Sequence, residues 1–267
     1  ELAKGIFVAS VDADEGIDLN VCELFANLNA KYDYDLFCYS AQYHKKNKTT
    51  ISYLFDNDVE LFSEEQKEEM QIKVFAPNAP CFEYRTNTRF VGSVWGKFYK
   101  LEILKKNNLR FATEIIISED VLFNTLALDY FHRIGYTKEC FYHYKQQDDS
   151  AQNRYRSNSD KYFSVVIENV QQWLIMRKRN QCFIDAANCL FVHYLFGILK
   201  EDLFHKDNKL SLKSRYIGLR EILGREKYSN LLKIINKEYF SLPEKVLISL
   251  MRHKYCRLLT LLLKLYL

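Results

Sequence analysis

The 267-residue sequence predicts an α/β domain over residues 1–155 followed by an all-helical region over 156–267, and three observations predict it. The stretch from Gly5 to Gln42 runs as apolar strand, acidic turn, amphipathic helix and second strand, the rhythm of a doubly wound sheet. There are only 8 Gly and 3 Pro against 19 Tyr and 19 Phe, which favours long regular elements over a loop-rich fold. The texture changes near residue 155: beyond the polar linker "QQDDSAQNRYRSN" the chain reads helical, with Pro243 its one proline and no strong strand signal.

The elements follow in order. Gly5–Val11 reads as a buried strand that drops at once into Asp12, Asp14 and Glu15. Ile17–Lys31 then places Val21, Leu24, Phe25 and Leu28 at helical spacing, and "DLFCYSAQ" (Asp35 to Gln42) is the second strand. The polar run "HKKNKTT" forms a hairpin tip between Tyr43 and Tyr53. Ser63 with Gln66 is a capping-box signal that opens a helix through "SEEQKEEMQIKVF", and "APNAPC" is a loop. "GSVWGKFYKLEILKKNNLRF" gives a short strand and then a helix from about Lys100. "IIISEDVLFNTLALDYF" reads as an apolar strand running into a helix capped by Ser118, and "KECFYHYK" (Lys138 to Lys145) is a further strand.

Composition narrows the class. An apolar fraction of 48% with 27% charged residues suits a folded globular chain, and a net charge of +4 is too mild to argue for nucleic acid, so none is expected as a partner. Seven cysteines, an odd number with no C-x-x-C pair, fit free thiols in a reducing compartment, so a cytoplasmic location is expected. No segment reads as long enough for a transmembrane helix, and no signal-peptide pattern opens the chain.

Two acidic stations carry the chemistry. Asp12-Ala13-Asp14 follows one strand, where three close carboxylates repel unless a cation or solvent absorbs their charge. Asp12 and Asp14 are hard oxygen ligands suited to Mg²⁺ or Mn²⁺, which in turn bind phosphate oxygens. Ser118-Glu119-Asp120 opens a helix, where the positive end of the macrodipole favours an ionised Asp120 able to take a proton. Each feature also has a purely structural reading: a solvated turn for Asp12 and Asp14, a simple helix start for Glu119 and Asp120, a core aromatic for Trp95, and a structural strand histidine for His143.

The segment "AKGIFVASVDADEGIDLNVCELFANLNAKYDYDLFCYS" resembles the middle of a family 2 glycosyltransferase of the GT-A fold, where an apolar strand ends in D-x-D. "SVWGKFYKLEILKKNNLRFATEIIISEDVLFN" is similar to the acceptor half of that family, with its W-x-K-x-Y pattern and its E-D pair. "FYHYKQQDDSAQ" resembles the aromatic strand and serine, here Ser150, that close the domain, so the likeness covers roughly residues 3–155. It implies a partial GT-A domain and an inverting, metal-assisted transfer of sugar from a nucleotide-sugar, a UDP-sugar, to a glycan or lipid-linked acceptor in polysaccharide biosynthesis. Asp14 would ligate the metal on the donor diphosphate with Asp12 beside it, and His143 would be a late metal ligand. Asp120 would be the general base, Glu119 would orient the acceptor, and Trp95 and Lys97 would contact acceptor or phosphate.

The chain departs from the family pattern in three places. Glu15 stands for a common Asp, and Ser118 for a frequent Gly, a change expected to be harmless at a helix cap. The family also places a strand, a helix and an acidic base-binding motif ahead of the segment matching Leu2–Val11, so the chain reads as an N-terminally truncated piece. The alternative to an enzyme is then an inactive remnant that serves as a binding or membrane-surface module. The tail "PEKVLISLMRHKYCRLLTLLLKLYL" mixes cations with Leu and Ile throughout, which suits either an interfacial helix on an anionic membrane, peripheral to the inner face of the cell membrane, or a helix packed on its neighbours.

Overall fold

The computed structural model describes residues 3–46, 48–76, 91–146 and 154–266, with side chains to 263. The predicted loop "APNAPC" from Pro77 onward, and Ser150, lie outside the described residues. The chain divides after Gln147 into two compact units.

The first unit is built on a mixed sheet in the order β1-β5-β3-β6-β2, with β4 paired to β3. Its strands are β1 (Phe7–Val8), β2 (Gly16–Ile17), β3 (Leu36–Lys45), β4 (Lys48–Ser52), β5 (Lys97–Lys100) and β6 (Ile134–Lys145). Its helices are α1 (Val21–Tyr32), α2 (Glu64–Phe75), α3 (Leu101–Lys106) and α4 (Glu119–Ala127). β3 and β6 run parallel and form the centre, where Leu36, Phe37, Cys38 and Tyr39 are all sealed from solvent, as a strand covered on both faces requires. The sheet is not the uniformly parallel one that the rhythm suggests. β3 is long enough to share one edge between two antiparallel neighbours, β5 at Leu36–Cys38 and β4 at Ala41–Lys45.

Alternation along β5 decides what each face holds. Phe98 stacks on Phe25 of α1, with ring centroids 4.3 Å apart at 4°. Tyr99 points the other way, edge-on to Phe123 of α4 at 5.8 Å. Lys97, two residues before Tyr99, shares the α4 side. At the start of β6, Gly135 lies so close to the Tyr34 ring that a Cβ there would overlap it.

Several element bounds differ from the sequence expectation. The first strand is only Phe7–Val8, and Ile17, expected in a helix, belongs to β2; α1 starts at Val21. The apolar run Ile115–Ile117 is not a strand, and α4 begins directly after Ser118. Ser118 does not cap through its side chain. It sits in the left-handed region at φ 59°, where a side chain is strained and glycine is not, so a serine in place of a glycine is not the harmless cap expected. The Ser63–Gln66 capping box forms reciprocally, as the sequence indicates.

The second unit is helical: α5 (Ser159–Met176), α6 (Gln181–Gly197) running into a π-helical turn (Ile198–Leu203), α7 (Leu212–Gly224), α8 (Glu226–Ile234), α9 (Leu242–Arg252) and α10 (Cys256–Tyr266). Phe163 of α5 stacks on Tyr194 of α6 at 4.5 Å, and Trp173 packs edge-on to Phe183. Asp160 at the start of α5 is held by Arg225, Lys227 and Tyr228. Contrary to the sequence expectation, Gln181–Leu203 is 23 residues long and apolar enough to cross a membrane by length and composition. Most of it is buried by its neighbours within the unit, the position of a core helix. The tail after Pro243 is not one helix either: α9 and α10 are broken by a turn in which Lys254 takes φ 55°.

Because Gly135 has no room for a methyl against Tyr34, Gly135→Ala is expected to lower stability by about 1–3 kcal/mol in urea unfolding, the cost of overpacking a dense interior. An unchanged midpoint would show that the ring can move aside.

Candidate active site

The acidic turn is positioned by the sheet beneath it. β1 pairs with β5 at one end of the sheet order and β2 pairs with β6 at the other, so residues 9–15 must cross between them. Ser10 bridges Trp95 and Gly16 pairs with His143, which sets the turn at the carboxyl ends of the parallel strands β3 and β6. The Glu15 N–H donates to the Asp12 carbonyl at 3.1 Å and closes the turn. The Asp12 N–H donates to the Tyr142 hydroxyl, also at 3.1 Å, and that hydroxyl bonds the Glu15 carboxylate. Trp95 lies flat on Tyr142, with centroids 4.4 Å apart at 8°, and Tyr43 and Tyr144 complete the aromatic bed.

The electrostatics of this turn are those of crowded carboxylates. Asp12 is raised above the usual carboxylate range by partial burial and by the charge of Asp14. Glu15 is raised mainly by burial, against the lowering pull of its bond to Tyr142. The side chains of Asp12 and Asp14 are exposed, while Glu15 Oε2 is buried with no hydrogen-bond partner among the described residues. Asp12 and Asp14 are thus two hard oxygen donors open to solvent, the donor type that Mg²⁺ and Mn²⁺ accept beside phosphate oxygens and water.

His143 does not join that set. Its Nε2 meets Asp18 Oδ1 at 3.0 Å and its Nδ1 meets His44 Nε2 at 3.1 Å, so both ring nitrogens are engaged away from Asp12 and Asp14. Among the described residues no group of three or more His, Cys, Asp or Glu side chains is arranged to hold a metal, which corrects the expectation of an Asp12, Asp14 and His143 set.

The second station is Asp120 at the first turn of α4. The Val121 N–H donates to Asp120 Oδ1 at 2.8 Å, and Asn124 Nδ2 donates to the Asp120 carbonyl at 3.0 Å. Burial lifts the Asp120 carboxyl to about 6, with Glu119 adding to the rise and the Val121 amide and Lys97 opposing it. Lys97 is fully buried and its ammonium is lowered to about 8 by desolvation, while Cys38 and Asp120 pull it back up. Its Nζ donates to the Ser93 carbonyl at 2.6 Å, and the same carbonyl accepts from Asn124.

Trp95 and Lys97, expected at the acceptor, are therefore inside the wall: Trp95 is 7% exposed and Lys97 0%. Lys97 has no surface to offer a ligand, and Trp95 supports the turn through Tyr142. Glu119 is half-buried beside Asp120. The segment 93–97 meets both stations, Trp95 under the acidic turn and Lys97 facing the charge of Asp120. Gly96 makes the bend between them at φ 71°, and its carbonyl accepts from the Tyr39 N–H. Sequence reasoning gave no role to Tyr142 or Asn124. Tyr142 is signalled by the period-two aromatics of β6, Tyr142 and Tyr144, and Asn124 by being a polar residue four positions after Asp120 in an apolar helix.

No family model matches the chain. Over 159 residues it is 26% identical to "Putative glycosyltransferase EpsH" of Bacillus subtilis (strain 168), a match covering 58% of this chain and 42% of that protein. Among solved structures it is similar to S. aureus TarS 1-349 in complex with UDP-GlcNAc, with a TM-score of 0.57 at 16% identity, covering 96% of this chain and 66% of that one. TarS 1-349 in complex with UDP gives a TM-score of 0.54, again at 16% identity, covering 96% of this chain and 64% of that one. The chain thus spans less than half the length of the curated relative and under two thirds of the solved one in its UDP complex. Its fold is that of these structures, a GT-A type α/β unit followed by a helical region.

Two outcomes follow from the geometry. Tyr142→Phe removes the hydroxyl that ties the Asp12 amide to Glu15 and is expected to cost about 1–2 kcal/mol in denaturant unfolding. For Asp120, the folded carboxyl holds its proton up to about 6, above its ordinary 3.8, so its ionisation opposes folding. Stability from this group is therefore highest near pH 4 and is lost as pH rises through 6. Asp120→Asn is expected to be more stable than the parent at pH 7.5 by about 1–2 kcal/mol, with the difference gone by about pH 4.

Proposed function

We propose that this chain belongs to an inverting glycosyltransferase that moves a sugar from a UDP-sugar to a hydroxyl of a glycan or lipid-linked acceptor, in polysaccharide synthesis on the cytoplasmic side. The observation that carries the reading is the pair of unlike acidic stations braced by one segment: an exposed carboxylate turn, and a half-buried Asp120 whose carboxyl is raised to about 6. The likeness to EpsH, and to TarS structures that hold UDP-GlcNAc and UDP, supports the choice of chemistry.

In this reading Asp14 and Asp12 would hold Mg²⁺ or Mn²⁺, which when bound would neutralise charge on a leaving diphosphate. Asp120 accepts the proton of the acceptor hydroxyl as that oxygen bonds to the anomeric carbon. The bond from that carbon to the diphosphate oxygen breaks on the opposite face, so configuration inverts and UDP leaves. A carboxylate with a value near 6 is mostly ionised at pH 7 yet basic enough to share a proton in the transition state. Glu119, adjacent on the first turn of α4, orients the acceptor.

The test is thermal melting of the chain with UDP, with and without Mn²⁺, followed by transfer assays from UDP-GlcNAc. UDP with Mn²⁺ is expected to raise the Tm, and Asp14→Asn to abolish the metal-dependent part of the shift. Asp120→Asn is expected to keep the UDP shift while lowering turnover by about 10²–10⁴-fold. The rate is expected to fall about tenfold per pH unit below about 6, as Asp120 takes up its proton. A chain unmoved by UDP and Mn²⁺, with transfer indifferent to Asp120→Asn, would point to the inactive binding module instead.

A further inference from the structure

The helical unit carries a surface that its own core does not explain. The last 23 residues, 245–267, include Lys245, Arg252, Lys254, Arg257 and Lys264 and not one Asp or Glu. Two of these cations are spent internally: Lys245 pairs with Glu238, and Arg252 donates to the carbonyls of Leu232 and Ile235. Lys254 and Arg257 stay exposed, and Lys254 takes the left-handed conformation in the turn between α9 and α10.

α10 divides cleanly around its axis. Cys256, Leu259, Thr260 and Leu263 face inward and are buried, while Leu258 and Leu261 on the opposite side are 48% and 54% exposed, and Tyr255 just ahead of them is 58% exposed. Beside this stripe lies an open hollow of about 540 Å³ lined by Tyr216, Leu250, Lys254, Tyr255, Arg257 and Leu258. Two cations over apolar walls form a seat for a phosphate group that carries hydrocarbon.

We propose that the outward face of α10, with the turn before it, docks on an anionic lipid bilayer, Leu258 and Leu261 entering the acyl boundary and Lys254 and Arg257 meeting phosphate headgroups in the hollow. Charge complementarity selects the occupant: an all-cationic segment fits an anionic sheet, and an exposed leucine pair with an adjacent tyrosine fits an interface that is wet on one side and oily on the other. A nucleic acid would leave the leucines uncovered. The proposal stands on the helical unit and does not depend on sugar transfer.

Flotation of the whole chain with vesicles of phosphatidylcholine, with and without phosphatidylglycerol, tests it. Binding is expected to the anionic vesicles alone and to weaken with salt. L258Q/L261Q is expected to lose about tenfold or more in partitioning, and K254A/R257A about 30-fold, each with an unchanged circular dichroism spectrum. Because both pairs are exposed, two separate variants guard against a folding artefact. Inorganic phosphate at matched ionic strength is expected not to release the bound chain. Absence of binding to anionic vesicles, or binding that both variants retain, would overturn the proposal. So would a dimer that L258Q/L261Q dissolves without any vesicle binding, or retention on an oligonucleotide in place of vesicles.

Discussion

The left-handed bend at Gly96 is the constraint on which the first unit turns. It lets Trp95 lie against Tyr142 beneath the acidic crossing while Lys97, one residue later, joins β5 and faces α4. A residue with a side chain would resist that conformation, and the two stations would lose their common brace. The Ser93 carbonyl adds a second tie, since it receives both Lys97 and Asn124 and so fixes the start of α4 against the sheet. Geometry at Asp120 is therefore inherited from the strand that also supports the turn.

The same scaffold creates two opposite environments for carboxylates. Asp12 and Asp14 are left at the surface, where water or a cation can absorb their repulsion. Asp120 is half-buried, and its carboxyl is raised although the Val121 amide and the buried Lys97 ammonium oppose the rise. Like groups placed in unlike surroundings in this way have their proton affinities set by their cover and their neighbours.

Much of this architecture was legible in the sequence, for reasons that can be named. The strand β3 announces itself as a continuous apolar run because both its faces are covered, and the capping box at Ser63 is a local signal that tertiary packing did not disturb. The placement of Asp12 and Asp14 in a turn after the first strand, and of Asp120 in the first turn of α4, was readable from the pattern around them. The mixed sense of the sheet was not, since strand direction depends on which edge of β3 each partner finds. Burial was half legible: the core reading of Trp95 is the one the structure shows, whereas Lys97, expected against acceptor or phosphate, is interior. Of the two readings of His143 the structural one holds, but the choice needed the register, which delivers Asp18 and His44 to its ring.

The cover over Asp120 also shapes how this domain would respond to engineering. A campaign that ranks random variants by heat tolerance alone would favour neutral replacements at this position early, since they relieve a carboxylate whose ionisation opposes folding. Such a campaign would enrich sturdy proteins whose chemistry had been traded away, so any hardening effort should score turnover alongside melting from its first round.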